Sequence, residues 1–241
     1  MLHVILGDIH GNLEAFEAVI RSFPSGREYD INCAGDIVGY GADPAACVDR
    51  ILSLRAGCVL GNHDAAAVGR VDTGSFNKYA KEAARWTKGI LAGTAKDFLK
   101  NLRYVVDAGG FTVVHGTLHD AEAFHYMMTG VQAMKTFEVM ENDLCFVGHL
   151  HVPGIFSLRD GKVLYSYRRL TRLREDTRYI VNVGSVGQPR DNDNRACYCV
   201  YDDSKKEIEL KRVAYDIHLA QEKILACGLP SRLAERLSLG I

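Results

Sequence analysis

"MLHVILGDIHGNLEAFEAVIRSF", residues 1–23, reads in three parts. Leu2 to Leu6 form a short apolar run of the kind that makes a buried strand. A polar loop with two glycines, Gly7 to Asn12, follows. Asn12 then suits the N-cap of a helix whose Leu13, Phe16 and Ile20 share one face. The same order recurs downstream: "DINCA" (30–34) precedes "GDIVGYG" (35–41), then "DPAACVDRILSL" (43–54), where Asp43 and Pro44 predict a cap and a first helical residue. "CVL" (58–60) runs into "GNHD" (61–64). Further apolar runs end in "HG" (115–116), "GHLH" (148–151) and "GSVGQPRD" (184–191). Strands alternating with helices in this way predict an α/β protein, and strand counting alone predicts a doubly wound parallel sheet.

Residues 75–103 read as helical throughout, and a shorter helical insert is expected over 131–141. After residue 154 the pattern changes to hairpins. "SLRDGKVLYSY" (157–167) carries an Asp160-Gly161 turn signal, and "ACYCVYDDSKKEIELKRVAY" (196–215) reads as a second hairpin. Two helices over 216–239, separated by Gly228 and Pro230, close the chain. With no repeat, low-complexity tract or linker, residues 1–241 are expected to form a single domain that includes segments 75–103 and 216–239.

The 241 residues are 47% hydrophobic and 24% charged, with a formal net charge of -1. Length on this scale supports a sizeable core. The near-neutral balance supplies no global field for nucleic acid or an anionic membrane. No apolar run reaches the roughly 18 residues a bilayer span needs, so a soluble, cytoplasmic protein is expected. Seven cysteines without staple-like spacing argue against a disulfide framework, and reduced core packing is the expectation for all of them.

Metal-capable side chains crowd the ends of the predicted strands: Asp8, His10, Asp36, Asn62, His63, His115, His149 and His151. Five of the nine histidines fall there. Any one of these residues is explained by a cap, a turn or a hydrogen-bonded loop. Capping has no use for so many histidines at one end of a sheet, where ligands of open α/β proteins bind. Asp8 and His10 are two apart, as are His149 and His151, so in extended backbone each pair points to one side. With His63 set aside, two carboxylates, four imidazoles and an amide oxygen suit manganese, iron, zinc, cobalt or nickel. They are too many for one tetrahedral zinc and suit two divalent ions, with manganese the ion expected to work in vitro.

"GDIHGN", "GDIVGYG", "GNHD", "HG" and "GHLH", in that order, resemble the calcineurin-like metallophosphoesterases. The tail "NVGSVGQPRD" with the C-terminal helices is similar to a branch of small bacterial and archaeal phosphatases. The resemblance spans nearly the whole chain. It implies an α/β fold of the α+β type in four layers, two mixed β-sheets packed as a sandwich with helices outside, and so replaces the single parallel sheet. It also implies that Asp8, His10 and His151 hold one metal, that Asn62, His115 and His149 hold the other, and that Asp36 bridges them. His63 then stays off the metals and faces the leaving group, with Asp64 orienting it. The implied activity is in-line hydrolysis of phosphate esters by a metal-bridging hydroxide, with phosphomonoesters of small or nucleotide-like alcohols as substrates. Dinucleoside polyphosphates and phosphoproteins are the alternatives within that chemistry, and a non-catalytic metal-binding scaffold is the alternative outside it. A nuclease is disfavoured by the net charge and by the lack of chain for a capping domain.

Some residues depart from that pattern or stay open. Where the family often carries Ser or Thr, Pro and Arg after "VHG", this chain has Leu118 and His119; His119 reads either as a phosphate contact or as an ordinary loop residue. Arg190, after the glycine-rich turn, reads either as a fork on substrate phosphate or as a salt bridge to Asp191 or Asp193. Arg168, Arg169, Arg172, Arg174 and Arg178 read as a solvated hairpin face more readily than as a polyanion rim.

Overall fold

The computed structural model describes Met1–Ile241. In chain order the elements begin with β1 (Leu2–Leu6), α1 (Leu13–Arg21), β2 (Tyr29–Cys33), α2 (Pro44–Ser53), β3 (Gly57–Cys58) and α3 (Asn62–Val68). Next come α4 (Lys78–Ile90), α5 (Gly93–Lys100), β4 (Val105–Asp107), β5 (Thr112–Val114), α6 (Gly130–Val139) and β6 (Leu144–Val147). The chain continues through β7 (Gly154–Arg159), β8 (Lys162–Ser166), β9 (Leu170–Arg172), β10 (Arg178–Asn182), β11 (Ala196–Asp202), β12 (Glu207–Val213), α7 (Ile217–Ala226) and α8 (Ser231–Leu239).

The strands form two six-stranded sheets, ordered β3-β2-β1-β11-β12-β9 and β4-β5-β6-β10-β7-β8. In each, three neighbouring strands are parallel (β1, β2 and β3; β5, β6 and β10) and the rest pair antiparallel. The single doubly wound sheet predicted by strand counting is therefore wrong, and the two mixed sheets implied by the resemblance are present. The miss has a physical cause: both faces of the central strands are buried, so a sandwich strand and a parallel-sheet strand look alike in sequence. On β1, Leu2, Val4 and Leu6 pack outward against Phe16 and Val19 of α1 and Val48 and Ile51 of α2. Ile5 joins Phe111, Phe146, Val181 and Tyr201 between the sheets. On β6 the alternation repeats, Leu144 and Phe146 inward and Cys145 and Val147 outward against Ala133 and Phe137 of α6.

Local expectations hold where side chains cap or turn without competition. Asn12 accepts from the Ala15 N–H at 3.1 Å. Asp160 and Gly161 have φ of 49° and 71°, the paired left-handed backbone of a type I′ turn. The helical insert spans Gly130–Val139 and the C-terminal helices are α7 and α8. Three expectations fail. The stretch 75–103 is broken at Leu91 and Ala92, both extended. The break lets Leu91, Ala95 and Leu99 join the core outside the first sheet while Ala80 and Ala83 pack against α7 and α8. Asp43 makes no cap bond. Its carboxylate instead takes the Lys223 ammonium at 2.9 Å, tying α7 to the start of α2. Six cysteines are buried as expected, but Cys227 at the end of α7 is exposed. No helix is long and apolar enough to cross a membrane.

Phe146 is fully buried between the sheets, edge-on to Phe111 at 5.2 Å between ring centres. Phe146→Ala should lower unfolding free energy by about 3–5 kcal/mol. Urea denaturation at unchanged m-value checks it, and a loss under about 1 kcal/mol would mean that this core repacks around the cavity.

Candidate metal centre

The metal-capable residues follow the C-terminal ends of five strands drawn from both sheets. Asp8 and His10 follow β1, Asp36 follows β2, Asn62 follows β3, His115 follows β5, and His149 and His151 follow β6. The two sheets thus converge on one cluster. Asp8, His10, Asp36, His149 and His151 all have left-handed backbone, with φ of 53°, 51°, 53°, 66° and 62°. The expectation that the two spaced pairs point one way through extended backbone is therefore incorrect in its cause; the chain coils at each strand end. Such φ values are uncommon outside glycine, and persist where the surroundings over-determine them. Here backbone ties do so: Asp8 N to Gly35 O at 3.0 Å, His10 N to Asp36 O at 2.9 Å and Gly187 N to Asp8 O at 2.9 Å.

The inward atoms lie close together. His151 Nε2 is 3.2 Å from Asp8 Oδ1 and 3.0 Å from His10 Nε2. His115 Nε2 is 3.0 Å from Asn62 Oδ1 and 3.1 Å from His149 Nδ1. Asp36 stands between these groups, its Oδ2 3.6 Å from His10 Nε2 and 3.3 Å from His115 Nε2. Its Oδ1 accepts the His63 N–H at 2.8 Å, while the buried Oδ2 has no hydrogen-bond partner. Gly61 is required here, since a Cβ would strike the Asp36 carboxylate. The outer Nδ1 atoms of His10, His115 and His151 face the carbonyls of Val38, Ala34 and Gln188 at 3.1, 2.7 and 2.6 Å. A carbonyl there selects the tautomer with N–H outward and the Nε2 lone pair inward.

An orphaned carboxylate oxygen faced by several inward imidazole nitrogens is a donor set for divalent cations. Three overlapping groups have the spacing to hold an ion: Asp8, His10 and His151; Asp36, His115 and His149; and His10, Asp36 and His63. Burial pushes His10, His149 and His151 well below the usual imidazole range. His115 is equally buried, but Asp36 beside it outweighs that effect and raises it to about 9. Burial acts against charge on Asp36 too, yet the surrounding histidines hold it well below the usual carboxylate range. Proton and cation would compete for the same inward positions.

His63 differs from the other histidines. Its ring is wedged between Tyr40 and Phe76, at 4.4 and 4.8 Å between centres, and no carbonyl pins its Nδ1. Burial lowers it to about 4. Asp64 does not orient it. The Asp64 oxygens accept from Val38 N at 3.0 Å and Gly61 N at 3.1 Å, stitching the loop after β2 to the start of α3, and burial raises its pKa. His119 is exposed and its side chain lies outside the cleft, a correction to its reading as a phosphate contact. Its loop coils on through Asp120, so Tyr126 of the same segment reaches the cluster instead, stacked on His149 at 3.9 Å.

Arg190 is not paired with either neighbouring aspartate. Asp191 pairs with Arg212 and Asp193 with Arg195. The Arg190 guanidinium rests by Tyr40, with Nη2 3.0 Å from Gln188 Oε1 and a buried Nε that has no partner. The basic run on β9 is tied to β12, Arg169 to Glu209 and Arg172 to Glu207, so it forms no rim. Residue-by-residue reading missed Ser185 and Gln188. The Ser185 hydroxyl donates to Asp8 O at 2.8 Å and accepts from Gln188 N at 2.8 Å, holding the carbonyl that faces His151. Their signal was the "GSVGQPRD" block, polar but flanked by apolar strand.

A two-sheet α/β sandwich with a buried His/Asp cluster at its parallel strand ends defines a class of candidate metal-site proteins. The chain belongs to the calcineurin-like phosphoesterase superfamily, whose domain matches residues 1–206. It is 39% identical to an uncharacterized protein of Methanocaldococcus jannaschii, over 98% of this chain and 97% of that one. It is similar to the crystal structure of a metallophosphoesterase from Sphaerobacter thermophilus, with TM-score 0.88, 35% identity and 100% of both chains covered. A hypothetical protein from Pyrococcus horikoshii shares the fold, with TM-score 0.77 at 19% identity over 100% of this chain and 98% of that one.

The role of Asp64 as a stitch is testable. Asp64→Ala strips both N–H groups of their acceptor and should cost about 1–3 kcal/mol of stability, read by denaturant unfolding. Unchanged stability with lost phosphatase activity would return Asp64 to the orienting role.

Proposed function

We propose that the protein is a dinuclear-metal phosphoesterase acting on phosphomonoesters of small or nucleotide-like alcohols. The observation that carries this is the unpartnered Asp36 oxygen, set between two groups of inward donor atoms. Asp8, His10 and His151 would hold one ion and Asn62, His115 and His149 the other, with Asp36 shared. Two such ions supply an activated water and a clamp on phosphoryl oxygens.

The chain's own groups divide the remaining work. The carbonyl-pinned imidazoles keep their geometry without reorganising during the reaction. Arg190, free of carboxylate partners, offers N–H donors to the phosphoryl oxygens. Hydrolysis forms a bond from water oxygen to phosphorus and breaks the bond from phosphorus to the alcohol oxygen, which must gain a proton. His63 would serve that oxygen. Burial keeps it neutral in the free chain, and a neutral imidazole still carries one N–H to donate; the charge of a bound phosphoryl group favours a second proton.

Asp36→Asn should lower occupancy of both ions and abolish turnover. Metal analysis of the purified variant decides it: two full equivalents would remove the bridging role, and loss of one ion alone would assign Asp36 to a single site. His63→Ala should keep both ions and lose about 10²–10⁴-fold in kcat on esters with poor leaving groups. Activated aryl esters should lose less. An equal loss across leaving groups of graded pKa, or a lost metal, would end the leaving-group assignment.

A further inference from the structure

From the cluster a cleft of about 500 Å³ opens between the start of α4 and the segment after β5. That volume lies within the roughly 300–1,000 Å³ of small-molecule sites and exceeds what a phenyl ring needs. Asn62, His63 and His149 of the cluster are part of its lining, so the alcohol portion of an ester held at the cluster would extend into the remainder. Four phenylalanine and tyrosine rings line it: Tyr40, Phe76, Phe124 and Tyr126. Tyr126 lays one face on His149, with planes 15° apart, and the residue remains 45% exposed. It stands as a flat platform against the candidate metal group.

The charges in the cleft point the same way. Its lining contains Asp72 and Glu122 but no lysine or arginine. Arg190 is outside the cleft lining, against Tyr40, whose ring packs on His63, and is assigned to the phosphoryl end. A leaving alcohol with phosphates or carboxylates of its own would meet two carboxylates with no lysine or arginine to offset them, and the His125 imidazole in the same lining lies 3.5 Å from the Asp120 carboxylate. Uncharged hydrogen-bonding groups are well met. Asn77 uses its Oδ1 to cap α4, accepting from Tyr79 N and Ala80 N, which leaves its amide N–H donors for a ligand; the Ser75 hydroxyl is exposed beside it.

We infer that this cleft is a nucleoside subsite, so that the preferred esters are nucleoside monophosphates, with the base on Tyr126 and the sugar hydroxyls toward Ser75 and Asn77. The inference rests on the phosphoesterase reading for its substrate but not for its subsite. Kinetics should compare adenosine 5′-monophosphate, phenyl phosphate, glycerol 2-phosphate and 3-phosphoglycerate on the manganese-loaded protein. The nucleotide should exceed glycerol 2-phosphate in kcat/KM by about 5- to 100-fold, the range one stacked base provides. 3-Phosphoglycerate should be the poorest of the four.

Tyr126→Leu should collapse the nucleotide-to-glycerol ratio and Tyr126→Phe should restore it. The ratio is the readout because Tyr126 also touches His149. Asp72→Lys with Glu122→Lys should raise the relative rate on 3-phosphoglycerate. Equal rates on nucleotide and glycerol esters, phenyl phosphate above the nucleotide, or a preference for 3-phosphoglycerate would each overturn the subsite. Adenosine binding, measured by calorimetry on wild type and Tyr126→Leu, separates the two readings. Adenosine bound by wild type alone, with no ester hydrolysed, would keep the subsite and defeat the phosphoesterase. Hydrolysis of every ester without adenosine binding would do the reverse.

Discussion

The Asp36 carboxylate is the constraint on which the rest of the site depends. One oxygen is held by an N–H at the start of α3, and the other is buried without a hydrogen-bond partner, faced by imidazole nitrogens at 3.3 and 3.6 Å. Burying a carboxylate costs several kcal/mol unless charge and hydrogen bonds compensate. Here the compensation is assembled from histidines on both sheets, His10 after β1 and His115 after β5. The same residue thus fixes the position of α3, and with it Asn62 and His63, while setting the charge of the pocket. Moving Asp36 would disturb the helix start and the donor set together.

That arrangement explains why the sandwich is built from parallel strands at its centre. Parallel neighbours end on the same side, so β1, β2 and β3 in one sheet and β5 and β6 in the other deliver their following loops to one place. The tight coils at those ends cost backbone strain. Cross-ties between loops, such as His10 N to Asp36 O and Gly187 N to Asp8 O, offset it. The inter-sheet core of Phe111, Phe146 and Val181 holds the two sets of loops in register. Rigidity at the site is therefore a property of the whole sandwich.

Much of this was legible in residue order. Apolar runs marked strands because those strands are buried on both faces, and histidines at their ends could not be explained as caps. The two-sheet division was not legible locally, since alternation is erased when both faces are apolar. Asp43 and Asp64 show a second limit. Each sits where a cap or an orienting partner was expected, but each carboxylate has a competing partner, Lys223 in one case and the Val38 and Gly61 N–H groups in the other. Sequence spacing does not reveal which donor wins. Arg190 shows the converse: Asp191 is claimed by Arg212 from β12, and Asp193 by Arg195 two residues further on. Tyr126 carried no motif at all, and only the left-handed turns at Asp120 and Phe124 bring it to His149.

The formal net charge of -1 gives the molecule no long-range preference for anions, so discrimination must be local. The site is polar in the directional sense. Arg190 lies against Tyr40 outside the cleft lining, the candidate cation groups stand at the cleft's Asn62 and His149 end, and Asp72 and Glu122 line the cleft itself. On the proposed reading, an ester with its charge concentrated at one end would be drawn in one orientation only, phosphoryl group inward and neutral alcohol outward. Reversing it would set a dianion against two carboxylates and leave the guanidinium without a partner. His63, wedged between Tyr40 and Phe76, would, with the phosphoryl group inward, lie where the two halves of the ester meet. The aromatic packing that buries its ring would then also fix the point along the ester at which a proton is delivered.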